Sequence, residues 1–204
     1  MPLTPQYNAN QQKALDALDN YNRQLEQIRL NGQISHAGKQ NAIAALWGRT
    51  VKEQKAQQDA MMSDHQRLTA ALEREVFGLR PGATAEEIAL YRNAAEQTSN
   101  ITDPAAALSQ LRSAALSGDT TLAKTVLAQA IREAHSVPIP AMAAPWAEVA
   151  NAYIEMNPAA EAKVEALWEA KAAGGVIENI AFHPPAKPLE VQSLTDAELL
   201  GLAE

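Results

Sequence analysis

Between two helical apolar stripes the chain breaks once, at Ile28-Arg29-Leu30-Asn31-Gly32-Gln33-Ile34-Ser35-His36-Ala37-Gly38-Lys39, and this break constrains the first third of the molecule more than any other feature. Before it, Ala14, Leu18, Tyr21, Leu25 and Ile28 recur at spacings of 4, 3, 4 and 3, the pattern of a helix with one apolar face. After it, residues 36–77 contain no proline, and glycine only at Gly38 and Gly48. Ile43, Trp47, Val51, Met61, Leu68, Leu72 and Val76 are apolar positions of this second pattern. Asn31-Gly32 is a helix stop, because either residue tolerates left-handed backbone. Ser35 is the expected N-cap of the second helix, and Ile34 is placed to pack back on the first. Residues 1–78 therefore read as a long helical hairpin.

The two arms of this hairpin are unequal. Some 40 residues of helix extend about 60 Å at 1.5 Å per residue, whereas the first arm is expected to run for only about half that length. The middle of the second arm, Lys52-Glu53-Gln54-Lys55-Ala56-Gln57-Gln58-Asp59, is almost wholly polar. It suits solvent on all sides or a polar partner. The apolar positions beyond it, Met61, Leu68 and Leu72, lack evident cover within residues 1–78 and are candidate partner-binding residues.

Phe77-Gly78-Leu79-Arg80-Pro81-Gly82 closes the long helix and marks the expected first domain boundary. Short helices with clear punctuation follow over 79–175. Thr84-Ala85-Glu86-Glu87 is a capping box. Asp103-Pro104 supplies an N-cap and a proline at the first helical position, and Ser117-Gly118 ends that helix. Asp119 or Thr120 opens the next, with Leu122, Val126, Ala130 and Ile131 as its buried stripe. A three-proline loop over 137–145 is expected before a helix holding Trp146, Val149, Tyr153 and Met156. Asn157-Pro158 starts another, ending at Gly174-Gly175. The phrase Ala115-Leu116-Ser117-Gly118-Asp119-Thr120-Thr121-Leu122-Ala123 is similar to the turn of a tetratricopeptide-type helix pair, without a regular 34-residue period.

Residues 176–204 change character. Residues 176–180 have the composition of a short strand, and 182–188 form a proline-rich extended link. Thr195 and Glu198 then make a further capping box, opening a miniature amphipathic helix whose Leu194, Leu199 and Leu202 share a face, with Leu200 beside them. An extended tether ending in a short apolar helix is a recurrent way to dock on another subunit. The fold class is thus all-α: an N-terminal long helical hairpin, a small bundle of short antiparallel helices, and an extended C-terminal tail.

Composition narrows the function classes. About a fifth of the residues are alanine and aromatics make up 4%, which favours closely packed helices with thin cores. There is no cysteine, hence no thiolate nucleophile or zinc–thiolate site. The net charge of -7 is unevenly spread: residues 1–78 balance at +1 and residues 79–204 at -8. With no basic stripe, nucleic-acid binding through phosphates is not expected. No apolar run reaches the roughly 20 residues of a membrane span, and residues 1–10 lack the charged and apolar regions of a signal peptide.

The residue types that carry catalytic chemistry do not fall into a working pattern. His36, His65, His135 and His183 are scattered, and no pair has the i, i+4 spacing of a helical metal site. Ser63-Asp64-His65 names the members of a hydrolase triad, but neighbours on a helix point about 100° apart and cannot form the relay. Gly174-Gly175 lacks the Lys-Ser/Thr of a phosphate-binding loop. Glu73 with Glu75, and Glu161, Glu165 and Glu169, are candidate carboxylate groups; the second set lines one helix face as an acidic ridge. Trp47 and Trp168 are core anchors by default, and candidate partner anchors because aromatics are enriched at interface hot spots. No catalytic, cofactor or metal site is expected.

Gln24-Leu25-Glu26-Gln27-Ile28, followed by Ile34-Ser35-His36-Ala37-Gly38-Lys39-Gln40-Asn41-Ala42-Ile43-Ala44, resembles a pattern in small helical structural and assembly proteins of tailed phages. There a helix ends at a short turn, a Ser or Thr and a Gly-Lys reopen the next, and a long polar helix follows. Here His36 and Ala37 replace the acidic residues typical after the capping serine. The resemblance spans about 50 residues and carries no catalytic residue. It implies a non-enzymatic structural protein of a phage-type particle, bracing capsid or connector subunits in a symmetric multi-copy assembly, a homo-oligomer included. The expected location is the virion or the host cytoplasm. The alternatives are a scaffolding chaperone absent from the mature particle, or a cellular tetratricopeptide-like adaptor with a peptide groove in 84–173.

Overall fold

The structure, a computed structural model, describes residues 5–137, 139–173 and 184–202, with the side chains of 5–11 and 14 outside that description. The protein is all-helical, and no strand occurs among the described residues. The expected strand at 176–180, the stop at Gly174-Gly175, and His183 lie outside them. The helices are α1 (Pro5–Leu30), α2 (His36–Val76), α3 (Ala85–Ser99), α4 (Pro104–Ser117), α5 (Thr120–Ser136), α6 (Pro140–Met156), α7 (Glu161–Ala173) and α8 (Asp196–Gly201). Single 3₁₀ turns occur at Pro158–Ala160 and Leu189–Val191.

Local chemistry sets most of these boundaries. Thr84 caps α3 by accepting from Glu87 N, while Glu87 accepts from Thr84 N at 2.7 Å. Asp103 caps α4 through Ala105 N and Ala106 N, and Asp119 caps α5 through Leu122 N at 2.9 Å. Gly118 ends α4 in left-handed backbone, φ 70°. At the first break the outcome differs. Ser35 Oγ accepts from Gly38 N as expected, but neither Asn31 nor Gly32 is left-handed. Asn31 instead closes the turn with its side chain, which accepts from Gln33 N at 2.9 Å, so no positive φ is needed. The three-proline loop is also shorter than expected. Helix α6 begins at Pro140 and carries Pro145 within it, close enough to the N-terminus that only the first turns lose a backbone bond.

The chain divides into two compact units where three segments were expected: Met1–His65 with Ala173–Glu204, and Gln66–Ala172. The expected boundary at 77–82 is corrected to a position inside α2. The physical reason is that Val76 and Phe77 are buried in the core of the second unit, with Leu72 packed against it. Residues 184–202 are not a separate tail domain, because Val191 and Leu199 are fully buried in the core of the first unit.

In the second unit α5 is central, packing on α3, α4 and α6. It buries Ala123, Val126, Leu127, Ala130, Ile131 and Ala134, against Leu111 of α4 and Trp146 and Val149 of α6. Gln129, almost fully buried, donates to Ile101 O at 2.9 Å and so ties the α3–α4 loop to α5. The first unit is built on Tyr21 and Leu25 of α1, and Ile43, Ala44, Leu46 and Trp47 of α2, with Val191 and Leu199 completing the cluster. Between Val51 and Val76, α2 buries only Gln54.

Candidate functional site

The chemistry of the first unit converges where residues 184–202 lie on α1 and α2. Arg29, in the last turn of α1, donates from Nε to Glu190 Oε1 at 2.7 Å and from Nη2 to Glu190 Oε2 at 3.1 Å. This is the bidentate geometry that a guanidinium and a carboxylate favour. Gln40 Nε2 donates to Glu190 O at 3.1 Å, and Trp47 Nε1 to Pro185 O at 3.0 Å. Lys39 Nζ donates to Arg29 O at 2.6 Å, linking the end of α1 to the start of α2. Every one of the segment's contacts with Arg29, Gln40 and Trp47 has the helices donating and the segment accepting.

The segment also holds itself together. Thr195 and Glu198 form a reciprocal capping box at the start of α8, and Lys187 Nζ donates to Leu194 O and, at 3.2 Å, to Asp196. Hydrogen bonding to Arg29 holds the Glu190 carboxyl below the usual carboxylate range. The Thr195 backbone N–H does the same for Glu198, and the Thr84 N–H for Glu87. All three carboxylates are exposed enough that screening limits their energetic weight.

Burial pushes the Tyr21 phenol up to about 12, with Arg29 opposing and Glu190 adding to the shift. Its hydroxyl is buried and has no hydrogen-bond partner among the described residues. A buried unsatisfied hydroxyl costs about 1–3 kcal/mol. Tyr21→Phe is therefore expected to stabilise the protein by about 1 kcal/mol, measured as a raised urea midpoint. The folded phenol titrates above the unfolded one, so its contribution is constant below pH 10 and lost as pH rises from 10 towards 12. The variant should lack that alkaline loss; a lowered midpoint at neutral pH would show that the hydroxyl is satisfied.

The sequence-predicted partner residues fall into three groups. Of the two readings of Trp47, burial supports the default one, core: its indole N–H is taken by Pro185 O and its ring by the α1–α2 cluster. Leu199 is fully buried and Leu194 half-buried in the same cluster. Expected to face another subunit, they cover the apolar stripe of α1 and α2 within the single chain. Leu200 is half-buried, and Leu202 is 49% exposed, so the three leucines do not share a buried face. Trp168 is half-buried against the core of the second unit, its ring edge-on to His135 with centroids 4.7 Å apart. On α2, Met61 and Leu72 are half-buried, whereas Met62 (42%) and Leu68 (53%) are exposed.

The candidate carboxylates do not pair as acid and base. Glu73 meets Lys171 Nζ at 2.5 Å and Glu75 meets Lys163 Nζ at 3.6 Å, so the two are divided between lysines of α7. Glu161, Glu165 and Glu169 are exposed. Among the described residues no group of three or more metal-ligating side chains is brought together, and no helix is long and apolar enough to cross a membrane.

Arg29, Gln40 and Glu190 were not singled out by the sequence, and Tyr21 was legible only as part of the α1 apolar stripe. Arg29 and Glu190 are separated by 161 positions, beyond the reach of any local periodicity. No protein-family model, curated protein or solved structure matches the chain.

Proposed function

We propose that this chain is a non-enzymatic structural protein of a phage-type particle, in which α1 and α2 form a helical hairpin that braces neighbouring capsid or connector subunits in many copies. The observation that carries the reading is the near absence of burial along α2 between Val51 and Val76, where Gln54 alone is buried. Helical stability in proteins comes chiefly from packing of an apolar face. A stretch of this length with Met62 and Leu68 outward is therefore incomplete by itself. Within the second unit, Leu116 (91% exposed), Ile139 and Met142 add further outward apolar side chains. The phage-type assignment adds the resemblance of residues 24–44 to the hairpin phrase of such proteins.

A scaffolding chaperone shares this surface chemistry and differs in persistence. Protein immunoblotting of purified particles is the test. A permanent structural component is present in precursor shells and mature particles alike, at a fixed ratio to the capsid protein. Presence in precursors alone makes it a scaffold. A monomer found in neither, pulling down a defined peptide through 84–173, overturns the particle reading in favour of an adaptor. Met62→Ser with Leu68→Ser should reduce incorporation at least tenfold without lowering the urea midpoint of the isolated chain, because neither side chain is in its core.

A further inference from the structure

We propose that the α1–α2 core is also the docking site for residues 184–202 of a second copy, so that copies are linked by reciprocal exchange of their C-terminal segments. The proposal rests on the multi-copy reading above and names the contact that joins the copies. Its first support is charge and hydrogen-bond complementarity with a fixed direction. Arg29, Gln40 and Trp47 present donors, and the segment presents the Glu190 carboxylate, Glu190 O and Pro185 O as acceptors. None of these contacts depends on the two partners belonging to one chain.

The second support is that the segment carries its own folded form. The Thr195–Glu198 capping box and the bonds of Lys187 to Leu194 O and Asp196 lie wholly within it. Val191 and Leu199 are its two fully buried insertions into the core. A segment with internal order can leave one core and enter an identical one by remaking only those anchors, its buried Pro185 and Pro188, and its bonds to Arg29, Gln40 and Trp47. Each copy holds one site and one segment, so a reciprocal pair leaves none unfilled, which is the economy of exchanging identical elements between protomers.

Mass action decides when exchange happens. A tethered segment competes for its own core at an effective concentration of order millimolar. Exchange therefore wins where copies are held at comparable density, as in an assembly.

Reciprocal charge reversal in the full chain tests this. Arg29→Glu faces its own Glu190 with a like charge, and Glu190→Arg faces its own Arg29. In a mixture, exchange pairs opposite charges at both sites. Each variant alone should not self-associate, whereas the equimolar mixture should give a one-to-one dimer by native mass spectrometry, at least tenfold enriched over either homodimer. The double variant should return to wild-type behaviour. A mixture that never pairs, up to millimolar concentration, overturns the proposal. Should a reversal fail to fold, Arg29→Lys chains, half of them nitrogen-15 labelled, can be joined by carbodiimide to Glu190. Joined peptides of mixed isotope support exchange; single-isotope peptides alone, or none, overturn it. Particles that contain the protein but give only single-isotope peptides would reject exchange and leave the structural role intact. Mixed-isotope dimers of a protein absent from particles would do the reverse.

Discussion

Trp47→Ala is expected to destabilise the first unit by about 3–5 kcal/mol, the range for removing a buried tryptophan. The ring is buried among Tyr21, Leu25, Ile43 and Leu46, in an alanine-rich chain with few other large side chains to close around the cavity. Its indole N–H is also the donor that fixes Pro185 O at the start of the C-terminal segment. Amide hydrogen exchange is the right measurement, because the two units need not unfold together and a single midpoint would blur them. Protection should fall in α1, in residues 36–50 and in residues 184–202, and remain in α5. Trp47→Phe separates the two contributions: it keeps most of the apolar volume and loses the donor, at a cost nearer 1 kcal/mol. An effect of Trp47→Ala under about 1 kcal/mol would mean that the ring is not a core element.

This result would also explain why the sequence placed Trp47 among possible partner residues. Features governed by neighbours three or four positions away were legible: Thr84 with Glu87, Asp103 with Pro104, Asp119, Gly118, and Thr195 with Glu198 all act where their spacing predicted. The apolar stripe of α5 was legible for the same reason, since a 3.6-residue period reports one buried face. What stayed hidden depends on distant parts of the chain. The spacing of Leu194, Leu199 and Leu202 predicted an apolar face but could not say which surface would cover it, and the answer lies more than 150 positions away in Tyr21 and Leu25. The split of α2 between two units was invisible because helix propensity and periodicity continue unbroken through His65-Gln66. Gln54 shows the opposite failure: composition marks it as solvated, yet it is one of the few buried polar residues.

Deleting residues 192–204 is expected to lower the stability of the isolated chain by about 3 kcal/mol, before any partner is considered. The deletion removes Leu199, whose full burial alone is worth about 1.5–3 kcal/mol. It also uncovers the part of the core that Leu199 and Leu194 close, and strips Lys187 of both acceptors. Loss of assembly in such a truncation would therefore be ambiguous, since a weakened first unit and a lost docking contact give the same outcome. Single substitutions resolve it. Leu199→Ala should cost about 2–5 kcal/mol in urea unfolding of the isolated chain, because its cavity opens into a packed cluster. Leu202→Ala should stay within about 0.5 kcal/mol, because that side chain is half exposed. If the two leucines behaved alike, α8 would not be anchored through one face, and both the intramolecular docking and its exchange between copies would lose their structural basis.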